Sequence, residues 1–99
     1  MAIQDSSPDA KSGDAVVDIG LTFGKVLRLR RQEAGLTQEQ LAGEAGIQRN
    51  YVSLIERGIN QPTVGMLFKL AAALRCSPSS LISDVENKIG RDEHPSEAQ

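Results

Sequence analysis

Apolar residues along the chain recur at helical spacing, three or four apart, in five separated blocks. The first block, about 23–34, carries Phe23, Leu27 and Ala34, with Thr22 placed to cap it and Gly35 to stop it. The second, about 38–45, turns Leu41, Ala42 and Ala45 inward. Thr37 and Gln40 three residues on form a capping box, and Gly46 suits the left-handed turn that ends a helix. Gly43 inside it is a weakness, costing about 1 kcal/mol against Ala. The third block, about 49–57, ends at Gly58. Thr63 caps a fourth, about 64–74, with Val64, Leu67, Leu70, Ala71 and Leu74 inward. Ser77 and Pro78 open a fifth, about 78–85, bearing Leu81, Ile82 and Val85. The pattern predicts an all-α body of five helices.

The stretch "GIQRNYVSLIERG", Gly46 to Gly58, departs from an ordinary soluble helix. Ile47, Val52 and Ile55 share one face, and Gln48, Arg49, Asn50 and Ser53 are pushed outward together. A polar face alone means only solvation. Here the outward residues at the helix start are hydrogen-bonding rather than a Lys/Glu mixture, and the helix is short. Together with the preceding helix and the linker Gly46-Ile47-Gln48, this is the layout of a helix-turn-helix. Ala42 is small at the crossing, Gly46 sits at the turn, and Ile47, Val52 and Ile55 lock the second helix on the first. A helix of this kind fits the major groove with its first turn against base edges, where Arg pairs with guanine and Asn with adenine.

Charge sharpens this reading. The 99-residue chain has a net charge of −2, which argues against a nucleic-acid partner until its distribution is seen. Residues 1–20 carry −3, residues 84–99 carry −3, and residues 21–83 carry +4. A basic body therefore lies between acidic ends. The expected organisation is a flexible acidic segment 1–20, with 16–20 able to lie on the body, a DNA-binding body 21–86, and a flexible polar tail 87–99. No apolar run is long enough for a membrane span and no signal peptide is evident, so a soluble cytoplasmic protein is expected, on the nucleoid when bound to DNA.

Enzymatic chemistry has no visible foothold. His94 is the single histidine and lies in the tail, Cys76 is alone, and there is no Gly-rich phosphate loop. No metal or cofactor is expected. A ligand-sensing regulator is not expected, since the segments on either side of the body are short. The rival class is a protein-interaction module of antitoxin type, whose tails would cover a partner protein; the acidic termini motivate it.

Residues 22–83, about two thirds of the chain, resemble the phage repressor/Cro-like (XRE) family through "GLTQEQLA", "RNYVSLIERG" and "NQPTVGMLFKLAAAL". The wording is also similar to the small controller proteins of restriction–modification systems. The resemblance implies a five-helix, repressor-like domain that binds double-stranded DNA, generally as a homodimer, and regulates transcription. It implies base reading by Arg49 and Asn50, with Ser53 and Leu54 one turn on. It implies backbone contacts from Gln38, Gln48, Tyr51, Arg57 and Asn60, the Tyr51 side chain having internal packing as its alternative. Arg31 and Glu56 match a pair forming an internal salt bridge.

Two residues depart from the family pattern. Ile59 stands where a basic residue is common, which weakens the expected phosphate grip. Arg30 falls on the inward stripe of the first helix, where its stem would lie on the core and its head stay wet; Leu29 would then pack on residues 16–20. A single domain offers few cationic contacts, so dimerisation is expected through the apolar residues of the fifth helix and the exposed end of the fourth, with Leu81, Ile82 and Val85 above all as candidate interface residues. Their alternative role is to close the core of one chain, the reading favoured for Leu81.

Overall fold

A computed structural model describes residues 18–93. It contains five helices: α1 (Ile19–Glu33), α2 (Gln38–Ala45), α3 (Arg49–Glu56), α4 (Val64–Ala73) and α5 (Pro78–Glu93). No strand occurs among the described residues. The helices close a ring of contacts: α1 packs on α3, α3 on α2, α2 on α4, α4 on α5, and α5 back on α1. Inside the ring lie Phe23, Val26, Leu27, Leu41, Ala42, Ala45, Val52, Ile55, Leu70, Ala71, Ala73, Leu81 and Val85.

The first helix starts earlier than its apolar pattern suggests. Asp18, not Thr22, is the N-cap, its Oδ1 accepting from the Leu21 N–H at 2.9 Å. Thr22 is buried within the helix. Gly20 and Gly24 hid this first turn because glycine is a poor helix former. Gly24 has a packing reason to be there. A Cβ at this position would meet the carbonyl oxygens of Ile55 and Glu56, the latter at 2.6 Å. α1 therefore rests directly on the backbone at the end of α3, a distance only glycine permits. Residues 1–17 of the expected acidic segment lie outside the described residues.

α5 runs on to Glu93, beyond the expected end near 85. Ile89 continues the Leu81–Val85 stripe by one further turn and packs against the core, which gives the extension its apolar support. Residues 87–93, expected in a flexible tail, are thus helical, and 94–99 lie outside the described residues. Val64, expected inward, is 72% exposed because it opens α4 before that helix reaches the core.

Arg30 does more than lay its stem on the core. Its Nε donates to Asp84 Oδ2 at 2.7 Å, joining α1 to α5, and this bond holds the guanidinium more basic than usual. Leu29 is largely exposed and lines an open groove between the same two helices. Of the residues 16–20 expected to cover it, 16 and 17 lie outside the described residues and 18–20 belong to the start of α1.

Two glycines should respond oppositely to the same change. Gly24→Ala forces α1 away from α3 and should cost about 3 kcal/mol. Gly43 is exposed in α2 with nothing within 4 Å of a built Cβ. Gly43→Ala should therefore raise stability by up to about 1 kcal/mol. Urea denaturation of both variants checks the pair.

Candidate nucleic-acid interface

The two helices of the motif are set by local chemistry. The Thr37 hydroxyl accepts from the Gln40 N–H at 3.0 Å, and Gln40 Oε1 accepts from the Thr37 N–H at 2.8 Å, completing the capping box. Gly46 ends α2 at φ 73°, a left-handed conformation. The Ile47 N–H then donates back to the Ala42 carbonyl at 3.0 Å. The chain turns within Gly46-Ile47-Gln48, as the spacing predicts. Val52 and Ile55 are fully buried and Ala42 nearly so, which locks α3 across α2. The side chains that remain outward do so because the opposite face is fixed.

Gln48, Arg49 and Asn50 are exposed at the start of α3. Gln48 is the N-cap, yet its side chain makes no capping bond, so its amide stays available. Ser53 and Leu54 follow one turn on and are half-buried. Arg57 is exposed at the C-cap, and Asn60 is half-buried with its N–H donating to the Leu54 carbonyl at 3.3 Å. Ile59 is exposed beside them. Tyr51, for which the phosphate role was the favoured expectation, is half-buried and packs against the core, its alternative placement.

Beneath this row lies a buried carboxylate. Glu56 is 7% exposed. Arg31 Nε donates to its Oε2 at 2.6 Å and Arg31 Nη2 to its Oε1 at 3.0 Å, a bidentate fork from α1. Gln38 Nε2 gives a third bond to Oε1 at 3.0 Å from α2. The remaining nitrogen of the fork, Arg31 Nη1, donates to the Leu36 carbonyl at 2.9 Å, tying down the α1–α2 loop. The bond to Glu56 holds the Arg31 guanidinium above its ordinary basicity, outweighing burial, so the pair keeps a fixed positive end. Gln38 Oε1 faces the other way and accepts from Arg49 Nη1 at 3.4 Å.

Gln38 is already engaged within the fold: one N–H of its NH2 group serves Glu56, which leaves the second to donate elsewhere. The motif wording did not reveal this, because the partner lies 18 residues away. The Arg30–Asp84 pair was missed for the same reason, at a separation of 54 residues. Gly20 and Gly24 did leave a signal: two glycines one turn apart on a helix mark a close approach.

A helix-turn-helix family model matches residues 27–81. The chain belongs to this helix-turn-helix family. It is 44% identical over 68 residues to the HTH-type transcriptional regulator y4dJ of Sinorhizobium fredii, covering 69% of this chain and 83% of that protein. It is 36% identical over 72 residues to the control protein C.MunI of a Mycoplasma species, covering 72% and 97%. The crystal structure of the restriction–modification controller protein C.AhdI from Aeromonas hydrophila superimposes with a TM-score of 0.62 at 41% identity, covering 65% of this chain and 96% of that one. The regulator therefore carries a DNA-binding domain of the XRE type, and its five helices match those of controller and repressor structures.

The two ion pairs should differ sharply in worth. Glu56→Ala leaves the half-buried Arg31 without its partner and should lower stability by about 3 kcal/mol. The Arg30 and Asp84 side chains are 27% and 40% exposed. Asp84→Ala should cost no more than about 1 kcal/mol. Thermal and urea denaturation at matched salt measure both.

Proposed function

We propose that this regulator binds a palindromic operator as a homodimer, each protomer placing α3 in the major groove. The observation that supports it most is the exposed pair Arg49 and Asn50, held outward on a short helix whose other face is fully buried. In this reading Arg49 and Asn50 read base edges, with Ser53 and Leu54 alongside, and Gln48, Arg57 and Asn60 steady the phosphate chain. Glu56 is kept from repelling the phosphates because Arg31 neutralises it. The protein acts in the cytoplasm, on the nucleoid when bound. Its likeness to controller proteins favours a role beside a restriction–modification system.

The dimer face needs revision. Leu81 and Val85 are buried in the core of one chain, 0% and 6% exposed, because α5 turns them onto α1 and α4. Of the three expected interface residues only Ile82 is exposed. On the adjoining α4, Val64 and Phe68 stand one turn apart and are 72% and 58% exposed. An exposed phenylalanine is a natural anchor at an interface between copies. We assign the dimer face to Val64 and Phe68 of α4 with Ile82 of α5. Two such domains would set their recognition helices about 34 Å apart, one turn of DNA.

Selection of sites from random duplex DNA should return a palindrome. Arg49→Ala should then cost about 1–3 kcal/mol at the preferred site and relax one base position in each half. Arg57→Ala should weaken all sequences alike and lower the salt slope by about one unit. An Arg49→Ala protein that keeps the wild-type preference contradicts the reading. Phe68→Asp should yield monomers in sedimentation while leaving the helical spectrum intact; a dimer of unchanged affinity would move the interface elsewhere.

A further inference from the structure

The open groove between α1 and α5 carries more positive charge than the fold itself employs. Arg30 and Asp84 pair across it, which leaves Lys25, Lys88 and Arg91 against Glu33. Those three cations have no ion-pair partner among the described residues. Leu29 lies among them, 56% exposed. The turns of α5 that run past its expected end supply Lys88 and Arg91. Viewed along α1, Leu29 stands about 140–160° round from Gly24 and Arg31, the residues that meet α3. The groove therefore opens away from the proposed contact surface.

We infer that residues 1–17 fold back along α1 and seat in this groove, their carboxylates on its unpaired cations. The segment carries Asp5, Asp9 and Asp14 against Lys11, so it is acidic where the groove is cationic. It joins the fold at Asp18, the N-cap of α1. At 1.5 Å per residue, Lys25 lies about 10 Å along α1 from that point, Leu29 about 16 Å and Glu33 about 22 Å. An extended chain covers at most about 3.5 Å per residue, so Asp14 reaches Lys25, and Asp9 and Asp5 reach the whole groove. Val16 and Val17, within about 7 Å of Asp18, do not reach Leu29; Ile3 is the β-branched side chain with enough chain behind it to cover that leucine. The tether makes the encounter intramolecular, at an effective concentration of order mM, where a few weak surface ion pairs suffice. Unseated, the carboxylates would leave the fold beside the loop that follows α3, since Gly20 abuts Gln61 and Gly58 abuts Leu21. That loop holds Ile59 and Asn60, on the proposed phosphate side, and the seat in the groove draws the negative charge away from it.

The test uses the full chain, free of DNA, with a nitroxide label attached through Ser7→Cys. Cys76→Ala removes the natural thiol, and Cys76→Ser replaces it if the alanine variant does not fold. Paramagnetic broadening should be strongest at the Leu29 methyls and at residues 87–91. It should vanish when Asp5→Asn, Asp9→Asn and Asp14→Asn are combined, and also at about 1 M salt, where the Debye length is about 3 Å. Broadening centred on Arg49 and Arg57 would overturn the inference by placing the segment against α3. Groove signals of full intensity would overturn it too, and would leave the groove to an acidic partner protein. Loss that persists in the asparagine variant would remove charge as the cause and the proposal with it. A mixture of labelled protein with unlabelled, isotope-enriched protein tests the remaining occupant: Leu29 broadening in the enriched molecules would mean that the segment of one copy seats on another, against the fold-back.

Discussion

A single buried carboxylate organises this molecule. Glu56 lies almost out of water, and an unpaired charge there would cost several kcal/mol. Its neutralisation demands a cation from α1, delivered by Arg31 as a two-pronged fork, and a further donor from α2, delivered by Gln38. Three helices are thereby set relative to one another around one side chain. The apolar contacts of Leu41, Val52 and Ile55 supply bulk attraction, which is non-directional. The fork adds direction, because a guanidinium and a carboxylate meet well in only a few geometries.

The close seat of α1 on α3 complements this. At Gly24 the two helices approach until backbone meets backbone, and the Arg31–Glu56 bonds span the same pair of helices two turns further along α1. α3 is thus gripped near its C-terminal end, while its N-terminal end is positioned by the Gly46 turn. A helix of eight residues is too short to hold itself straight and in place by its own hydrogen bonds. Its rigidity comes from these two attachments, and the outward placement of Arg49 and Asn50 follows from them.

Much of this was legible in the residues. Thr37 and Gln40 announced the start of α2, Gly46 its end, and Ile47, Val52 and Ile55 the buried face of α3. These signals act over three or four residues, where hydrogen-bond geometry and helical period leave few alternatives. The beginning of α1 was misread because glycines that serve packing look like breakers when only propensity is counted. The end of α5 was misread because one apolar residue, Ile89, among charged neighbours was given too little weight. Leu81 and Val85 could not be divided between core and interface by spacing alone, since both roles require the same apolar stripe. The partners of Gln38 and Arg30 depend on how distant segments meet, which no local pattern encodes.

The exposed isoleucine at position 59 has a further consequence for the search along a chromosome. Sequence-blind attraction to DNA grows with the number of cations facing the phosphates. In the proposed docking on DNA, a hydrocarbon at that place would shorten each chance stay on unrelated duplex without touching the contacts that discriminate between bases. On that proposal a cell would need fewer copies of the molecule to keep its own site filled, because fewer would be held as a reservoir elsewhere on the genome.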